Sequence, residues 1–231
     1  MSDHRQNIIV TTDVVLFTIK DDRLHVLLHQ RPNEPCKGEW ALPGGYIRTN
    51  EDKGAEAAAE RIMIEKIGLP TQMGGTPAFY MEQLSTWSGP DRDKRGFSVS
   101  VVFLILVPEA YLQTTFGHGI ALLPVDELPD LAFDHGDMVA AAMKRLRGKS
   151  TYSSLPAMLL PETFTMADLQ KAYEIATGAK LNTSAFTRKI MALDMIVDTG
   201  EVYRGPGARG TRPAKLWRLA DGRVTFDRTL A

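Results

Sequence analysis

The chain has 231 residues, 44% apolar and 24% charged, with a formal net charge of −1. This is ordinary globular composition, enough for one large domain or two modest ones, and no whole-chain basicity announces a nucleic-acid partner. A single cysteine, Cys36, excludes an internal disulfide and fits a reducing cytosol; a small buried residue is its simplest reading. Met1–Arg5 is polar and no long apolar run follows, so neither a signal peptide nor a membrane span is expected.

In chain order, Ile8–Ile19 is β-branched and apolar and predicts a buried strand. Asp21–Asp22 makes a turn, and Leu24–His29 returns as a second strand. After a loop beginning Arg31–Pro32, Trp40–Pro43 leads into a glycine turn and an Ala-rich helix from about Glu51 to Ile67, stopped by Gly68. Pro77–Gln83 and Ser98–Val107 predict two further strands, joined by a polar loop, Ser88–Gly96. Leu122–Leu131 reads as a loop and His135–Leu146 as a helix. Strands around one Ala-rich helix and one C-terminal helix suit an α/β sandwich over residues 1–148.

Gly148–Tyr152 reads as a linker. The pattern then changes. A short helix at Leu155–Leu160 precedes Pro161, and a helix opens at Thr165–Asp168, runs to about Thr177 and ends at Gly178. Asn182 is a good N-cap for another helix to about Asp194. Short strands at Ile196–Asp198 and Leu216–Leu219 flank a Gly/Arg-rich hairpin, Glu201–Arg212. Helix, turn, helix and two-stranded wing is the order of a winged helix-turn-helix over residues 153–231. Charge follows this division: residues 1–150 hold 16 Lys/Arg against 20 Asp/Glu, and residues 151–231 hold 11 against 8. The basic half is a mild pointer to nucleic acid.

The chemistry-bearing motif runs from Gly44–Gly45–Tyr46 through Glu51 to Arg61–Ile62–Met63–Ile64–Glu65–Lys66–Ile67–Gly68–Leu69. It resembles a Nudix box, in which carboxylates hold Mg²⁺ against a diphosphate. Gly45, Glu51, Arg61, Glu65, Gly68 and Leu69 match that pattern. Two extra residues separate Glu51 from Arg61, and Ile62 and Lys66 stand where the box has two glutamates. An apolar side chain and an ammonium group supply no hard oxygen ligand. On a straight helix Ile62 and Lys66 share a stripe, with Glu65 beside them, while Glu56 lies on the opposite face. Arg61 and Glu65 are spaced for an i,i+4 pair. The frame is kept and the metal chemistry is removed.

With Glu82–Thr86, Arg92–Gly96, Leu131–His135, Leu159–Thr165 and Gly210–Leu216, the whole chain resembles the NrtR branch of the Nudix superfamily, Nudix-related transcriptional regulators of NAD metabolism. The resemblance implies a Nudix-type α/β/α sandwich followed by a winged helix. It also implies ADP-ribose or a related NAD metabolite as effector, a homodimer, and double-stranded operator DNA as partner, with the protein a repressor in the cytoplasm and no required cofactor. Mg²⁺ enters only if residual hydrolysis survives. The alternatives are a metal-dependent hydrolase of ADP-ribose or a related nucleoside diphosphate derivative, and a regulator that answers to a sugar metabolite. A winged helix used for protein docking is a further possibility.

On that reading the effector contacts are Arg31, Gly44, Gly45, Tyr46, Glu65, Lys66, Tyr80, Arg92 and Arg95. The ammonium of Lys66 replaces the metal, the arginines meet phosphates, the glycines let the backbone approach the diphosphate, and Tyr46 and Tyr80 stack on adenine. Glu51 is expected to pair with Arg61, and His135 to be a capping or core histidine. The DNA contacts are Thr183, Ser184, Thr187, Arg188 and Lys189 on the recognition helix, above a buried stripe of Phe186, Ile190 and Leu193. Arg204, Arg209, Arg212 and Lys215 are the wing contacts. A proline in Arg204–Gly210 leaves the wing geometry open.

Overall fold

The computed structural model describes residues 8–73, 76–112, 119–204 and 213–220. In chain order its elements are β1 (Ile9–Lys20), β2 (Arg23–Gln30), β3 (Trp40–Ala41), β4 (Gly44–Tyr46), α1 (Ala55–Ile62), β5 (Gln72–Met73), β6 (Thr76–Pro77), β7 (Tyr80–Gly89), β8 (Ser98–Leu106), β9 (Ile120–Pro124) and α2 (His135–Ser150). These are followed by β10 (Phe164–Thr165), α3 (Met166–Thr177), α4 (Thr183–Ala192), β11 (Ile196–Tyr203) and β12 (Ala214–Leu219). The chain forms two compact units. One comprises 1–17, 25–107 and 111–142; the other comprises 18–24, 108–110 and 143–231.

The first unit is built on a mixed sheet ordered β3-β2-β1-β8-β7, with β4 added on β1 and β9 on β2. β1 and β8 run parallel, so both are central and nearly continuous apolar runs, as burial on both faces requires. Alternation along β1 splits its roles. Val14 and Leu16 join Ala59, Ile62 and Met63 in the core under α1. Ile9, Thr11 and Asp13 project from the other face and line a pocket.

Several expected boundaries shift. The Ala-rich helix begins at Ala55 rather than Glu51 and gives way to a π-turn at Met63–Ile67, capped by Gly68 at φ 74°. The wider turn takes Lys66 off the stripe of Ile62. Ile62 is only 1% exposed in the core, while Lys66 lines the pocket. The strand expected at Pro77–Gln83 is Tyr80–Gly89, running into the loop expected from Ser88. Part of the expected loop Leu122–Leu131 is β9, which pairs with β2 from His25↔Pro124 to His29↔Ile120. Gly148–Tyr152, expected as a linker, is the last turn of α2 and a following turn. Cys36 is half-buried in a left-handed turn rather than buried.

The second unit follows the expected order closely. Leu155–Leu159 is a 3₁₀ turn. Thr165 caps α3 through a capping box with Asp168, and Gly178 ends it at φ 74°. Asn182 caps α4 by accepting from the Ala185 amide at 3.0 Å. α4 stops at Ala192, and β11 extends well beyond the expected Asp198. Phe164, Leu169, Tyr173, Phe186, Ile190 and Ile196 make the core, with Leu193 and Trp217 packed at its edge. A three-stranded sheet, β10-β12-β11, closes it.

The two glycines at the β4 turn differ. A Cβ on Gly44 would sit 1.8 Å from Asp13 Oδ1, whereas one on Gly45 meets nothing within 4 Å. Gly44→Ala is therefore expected to destabilise the chain by about 1–3 kcal/mol, the usual cost of overpacking. Gly45→Ala should stay within about 0.5 kcal/mol of the parent. Denaturant midpoints of the two variants check this; equal midpoints would refute the contact argument.

Candidate functional site

The pocket lies between the β1–β4 face and the loops 31–39, 88–97 and 131–134. It is lined by Arg31, Gly44, Gly45, Tyr46, Lys66, Arg92 and Arg95, together with His29, Asp13, Asp93 and Phe133. Seven of the nine residues expected at an effector site therefore meet in one place. Two do not. Tyr80 is buried, 7% exposed, and its hydroxyl donates to Glu82 Oε2 at 2.6 Å, so its ring cannot stack on a ligand. Glu65 points instead to Arg48, which grips it through two bonds of 2.8 and 2.9 Å.

The four cations of the pocket are of two kinds. Arg92 is bound to Asp134 at 2.6 and 2.9 Å and donates to Ser98 Oγ at 3.2 Å. Arg95 is bound to Asp93, its closest contact 2.6 Å, and donates to the Tyr46 hydroxyl at 2.5 Å. Among the described residues Arg31 and Lys66 have no ion-paired carboxylate. Arg31 donates to the Pro35 carbonyl at 2.7 Å and lies 4.7 Å from the centre of the Phe133 ring. Lys66 donates to the Gly44 carbonyl. Lys66 is exposed as a residue, and its ammonium is nonetheless partly desolvated. That desolvation lowers its pKa, Asp13 opposes the shift, and the Arg31 charge adds to it. Two like charges facing one cavity repel each other, and an anion placed between them would relieve that repulsion.

The two pocket histidines, His29 and His135, are both shifted towards the neutral form. Burial, then the Lys66 charge, pushes His29 down to about 4. His135 is nearly fully buried, which lowers its pKa; its Nδ1 accepts from the Leu42 amide at 2.9 Å, the core role expected of it. That bond places the ring proton on Nε2, 3.9 Å from Asp13 Oδ1 and too far for a hydrogen bond. Asp13 accepts from Ser100 Oγ at 2.5 Å.

Beside the pocket lies an ion network that differs from the expected one. Arg61 pairs with Asp52 at 2.8 Å, not with Glu51, and reaches Glu65 at 3.4 Å; Glu51 pairs with Arg48 at 2.8 Å. The Arg61 guanidinium holds the Asp52 carboxyl down at about 2, and Arg48 lowers that of Glu65. Sequence reading missed Arg48 and Asp52, which lie in the turn before α1, outside any motif position.

In the second unit α4 exposes Thr183, Ser184, Arg188 and Lys189, with Thr187 half-buried. Arg204 is exposed at the end of β11. Lys215 is tied to Asp198 at 2.7 Å and lies 5.8 Å from the Trp217 ring. Arg209 and Arg212 fall outside the described residues.

With this geometry in view, the comparisons are decisive. Residues 10–142 match the NUDIX domain and residues 156–219 the NrtR DNA-binding winged helix domain. The ADPR responsive transcriptional repressor NtrR of Acinetobacter baylyi is 35% identical over 217 residues, 92% of this chain and 82% of that protein. The chain belongs to the NrtR family of Nudix-related proteins. NrtR of Shewanella oneidensis, solved in complex with a 27mer DNA, is 34% identical with a TM-score of 0.84, over 96% of this chain and 99% of that chain. The Nudix domain of the same protein, solved with ADP ribose, is 33% identical with a TM-score of 0.50, over 63% of this chain and 93% of that chain.

The Nudix fold implies a Mg²⁺ ion at the box, but the residues of this NrtR-family chain do not fit one. Ile62 is in the core, Lys66 carries a positive charge, and Glu65 is occupied by two guanidiniums. Among the described residues no group of three or more His, Cys, Asp or Glu is placed to hold a metal. Among them, too, no helix is long and apolar enough to cross a membrane.

The His29 shift has a consequence for stability. The folded chain holds His29 near 4 while the unfolded chain titrates near the ordinary histidine value of 6.5. The unfolded state therefore binds the proton first, and stability is lost as pH falls from about 6.5 towards 4. Denaturation midpoints between pH 7 and pH 5 should fall less steeply for His29→Gln than for the parent, with a remainder from His135. Parallel slopes would remove His29 from the account.

Proposed function

We propose that this protein is an ADP-ribose-responsive transcriptional repressor of NAD metabolism genes, acting as a homodimer whose winged helices bind operator DNA. The observation that carries the reading is that Lys66 and Arg31 line one pocket with no ion-paired carboxylate and no metal-ligand group among the described residues. A nucleoside diphosphate sugar brings two negative charges, and these two cations are the available partners. Tyr46 is 53% exposed beneath Arg95, so the outer face of its ring is open to a base. Gly45 has room for close approach by a diphosphate, whereas Gly44 is filled from behind by Asp13. Glu65 acts as framework, and Tyr80 has no ligand role.

The likeness to relatives that bind ADP ribose and DNA supports both halves of the reading. On the DNA side, Thr183, Ser184 and Thr187 open the helix that enters the major groove, and Arg188 projects from its exposed face. Arg204 suits a phosphate or the minor groove. Lys215 is the weakest candidate, because Asp198 already neutralises it.

Lys66→Glu tests the effector half. A charge-assisted contact worth roughly 1.5–3 kcal/mol becomes a repulsive one. ADP-ribose affinity measured by isothermal titration in metal-free buffer should fall by about tenfold or more. Unchanged affinity would remove Lys66 from the site.

Arg188→Ala tests the other half. With a duplex enriched from a random-sequence library by the parent protein, the variant should bind more weakly and with an unchanged ADP-ribose isotherm. If Arg188 contacts a phosphate, the slope of log affinity against log salt should flatten by about one unit. Parent-like DNA affinity would refute this docking of α4.

A further inference from the structure

The first turn of α2 is built into the wall of the pocket. Three consecutive residues there each touch a pocket group. Phe133 lies under the Arg31 guanidinium, Asp134 takes two hydrogen bonds from Arg92, and His135 accepts from the Leu42 amide. The segment is also strained. Phe133 has φ 58°, in the left-handed region that a bulky residue adopts only under strain. It is pinned on both sides, by Ala132 N donating to Trp40 O at 2.8 Å and by Met138 N donating to Asp134 O at 3.2 Å. The division between the two compact units falls inside this same helix, between Ala142 and Met143.

We infer that Asp134 is the residue through which an anion bound in the pocket is reported to α2. This rests on the reading of the pocket as a diphosphate site. Arg92 presents Nε and Nη2 to Asp134 and Nη1 to Ser98 Oγ. A planar guanidinium binds one oxyanion bidentately along one edge, and the Nε–Nη2 edge is taken. A phosphate that engages that edge displaces Asp134. The pair is largely sheltered, its side chains 12% and 19% exposed, so the released carboxylate cannot be left without a partner. It lies one residue before α2, the position from which a carboxylate can accept from first-turn amides. The turn holding Phe133 out of its preferred backbone region loses a restraint in the same event.

Arg95 supplies the contrast. Its carboxylate partner, Asp93, is two residues away in the same loop, so a phosphate that takes Arg95 disturbs that loop alone. Among the described residues the Arg92–Asp134 pair is the ion pair that joins a pocket cation to the start of a helix that continues past the site. Competition also fixes a sign. Removing the Asp134 charge frees Arg92 for the ligand and tightens binding, whereas a merely structural Asp134 would weaken binding when removed.

The test uses the full chain and ADP-ribose, with isothermal titration and amide hydrogen exchange in parallel. In the parent, ADP-ribose is expected to change exchange along α2. Asp134→Asn should bind ADP-ribose about threefold or more tighter, the scale of a partly exposed ion pair, and lose most of the ligand-induced change in α2. Unchanged or weaker binding, or an intact α2 response, overturns the inference. Arg92→Gln breaks the pair from the other side and serves if Asp134→Asn does not fold. It should still bind ADP-ribose through Lys66 and Arg31 while losing the α2 response, and a retained response is equally fatal. A parent that binds ADP-ribose without any change in α2 overturns the inference and leaves the pocket reading standing. A parent that does not bind ADP-ribose overturns both, and the parent isotherm alone tells the two failures apart.

Discussion

Lys66 and Arg31 line one cavity, neither in an ion pair with a carboxylate among the described residues, and the Arg31 charge makes Lys66 harder to keep protonated. Gathering like charges in this way costs stability, and folded chains accept such conflicts mainly where they serve a ligand. Much of the surrounding structure keeps this charge from being quenched. Glu65 is the neighbour of Lys66 in sequence and the obvious acid to neutralise it. Arg48 and Arg61 hold it away. Asp13, the carboxylate whose field reaches Lys66 most strongly, is turned to Ser100. The π-turn then carries Lys66 out of the apolar stripe that buries Ile62.

The same economy separates the arginines. Arg92 and Arg95 are held by internal carboxylates, which preorganise them at the pocket wall and set a threshold for any anion that would take them. Lys66 and Arg31 are available at once. On the proposed reading, a diphosphate would find two cations without an ion-paired carboxylate among the described residues and two that it must take from Asp134 and Asp93. In the second unit the arrangement is simpler. The α4 face away from Phe186 and Ile190 carries hydroxyls at its N-terminal end and Arg188 behind them, which suits a helix that meets a groove end-on.

Much of this was legible in the residues. The glycine turn, the substitutions at Ile62 and Lys66, and the three pocket arginines are local features whose chemistry follows from residue type. The helices of the second unit were legible because Thr165, Gly178 and Asn182 are strong stop and start signals. What was not legible depends on tertiary partners. Tyr80 looks like a stacking residue until strand alternation turns it inward beside Leu106. The partner of Arg61 was misjudged because Asp52 and Glu51 are adjacent, and only the turn before α1 decides which acid faces it. β9 was hidden by its prolines, and it is a strand because β2 offers an edge. Asp134 and Phe133 carry no signal beyond their place before a helix.

The central claim is that this chain senses a nucleotide without cleaving it. The most direct measurement is fluorescence anisotropy of the full chain on its selected duplex, titrated with ADP-ribose in EDTA, with AMP assayed in the same samples and again with Mg²⁺. The account requires DNA release in EDTA and no AMP above a protein-free control in either buffer. Release that needs Mg²⁺ and is accompanied by AMP at rates on the order of 1 s⁻¹, normal for an enzyme, would contradict it.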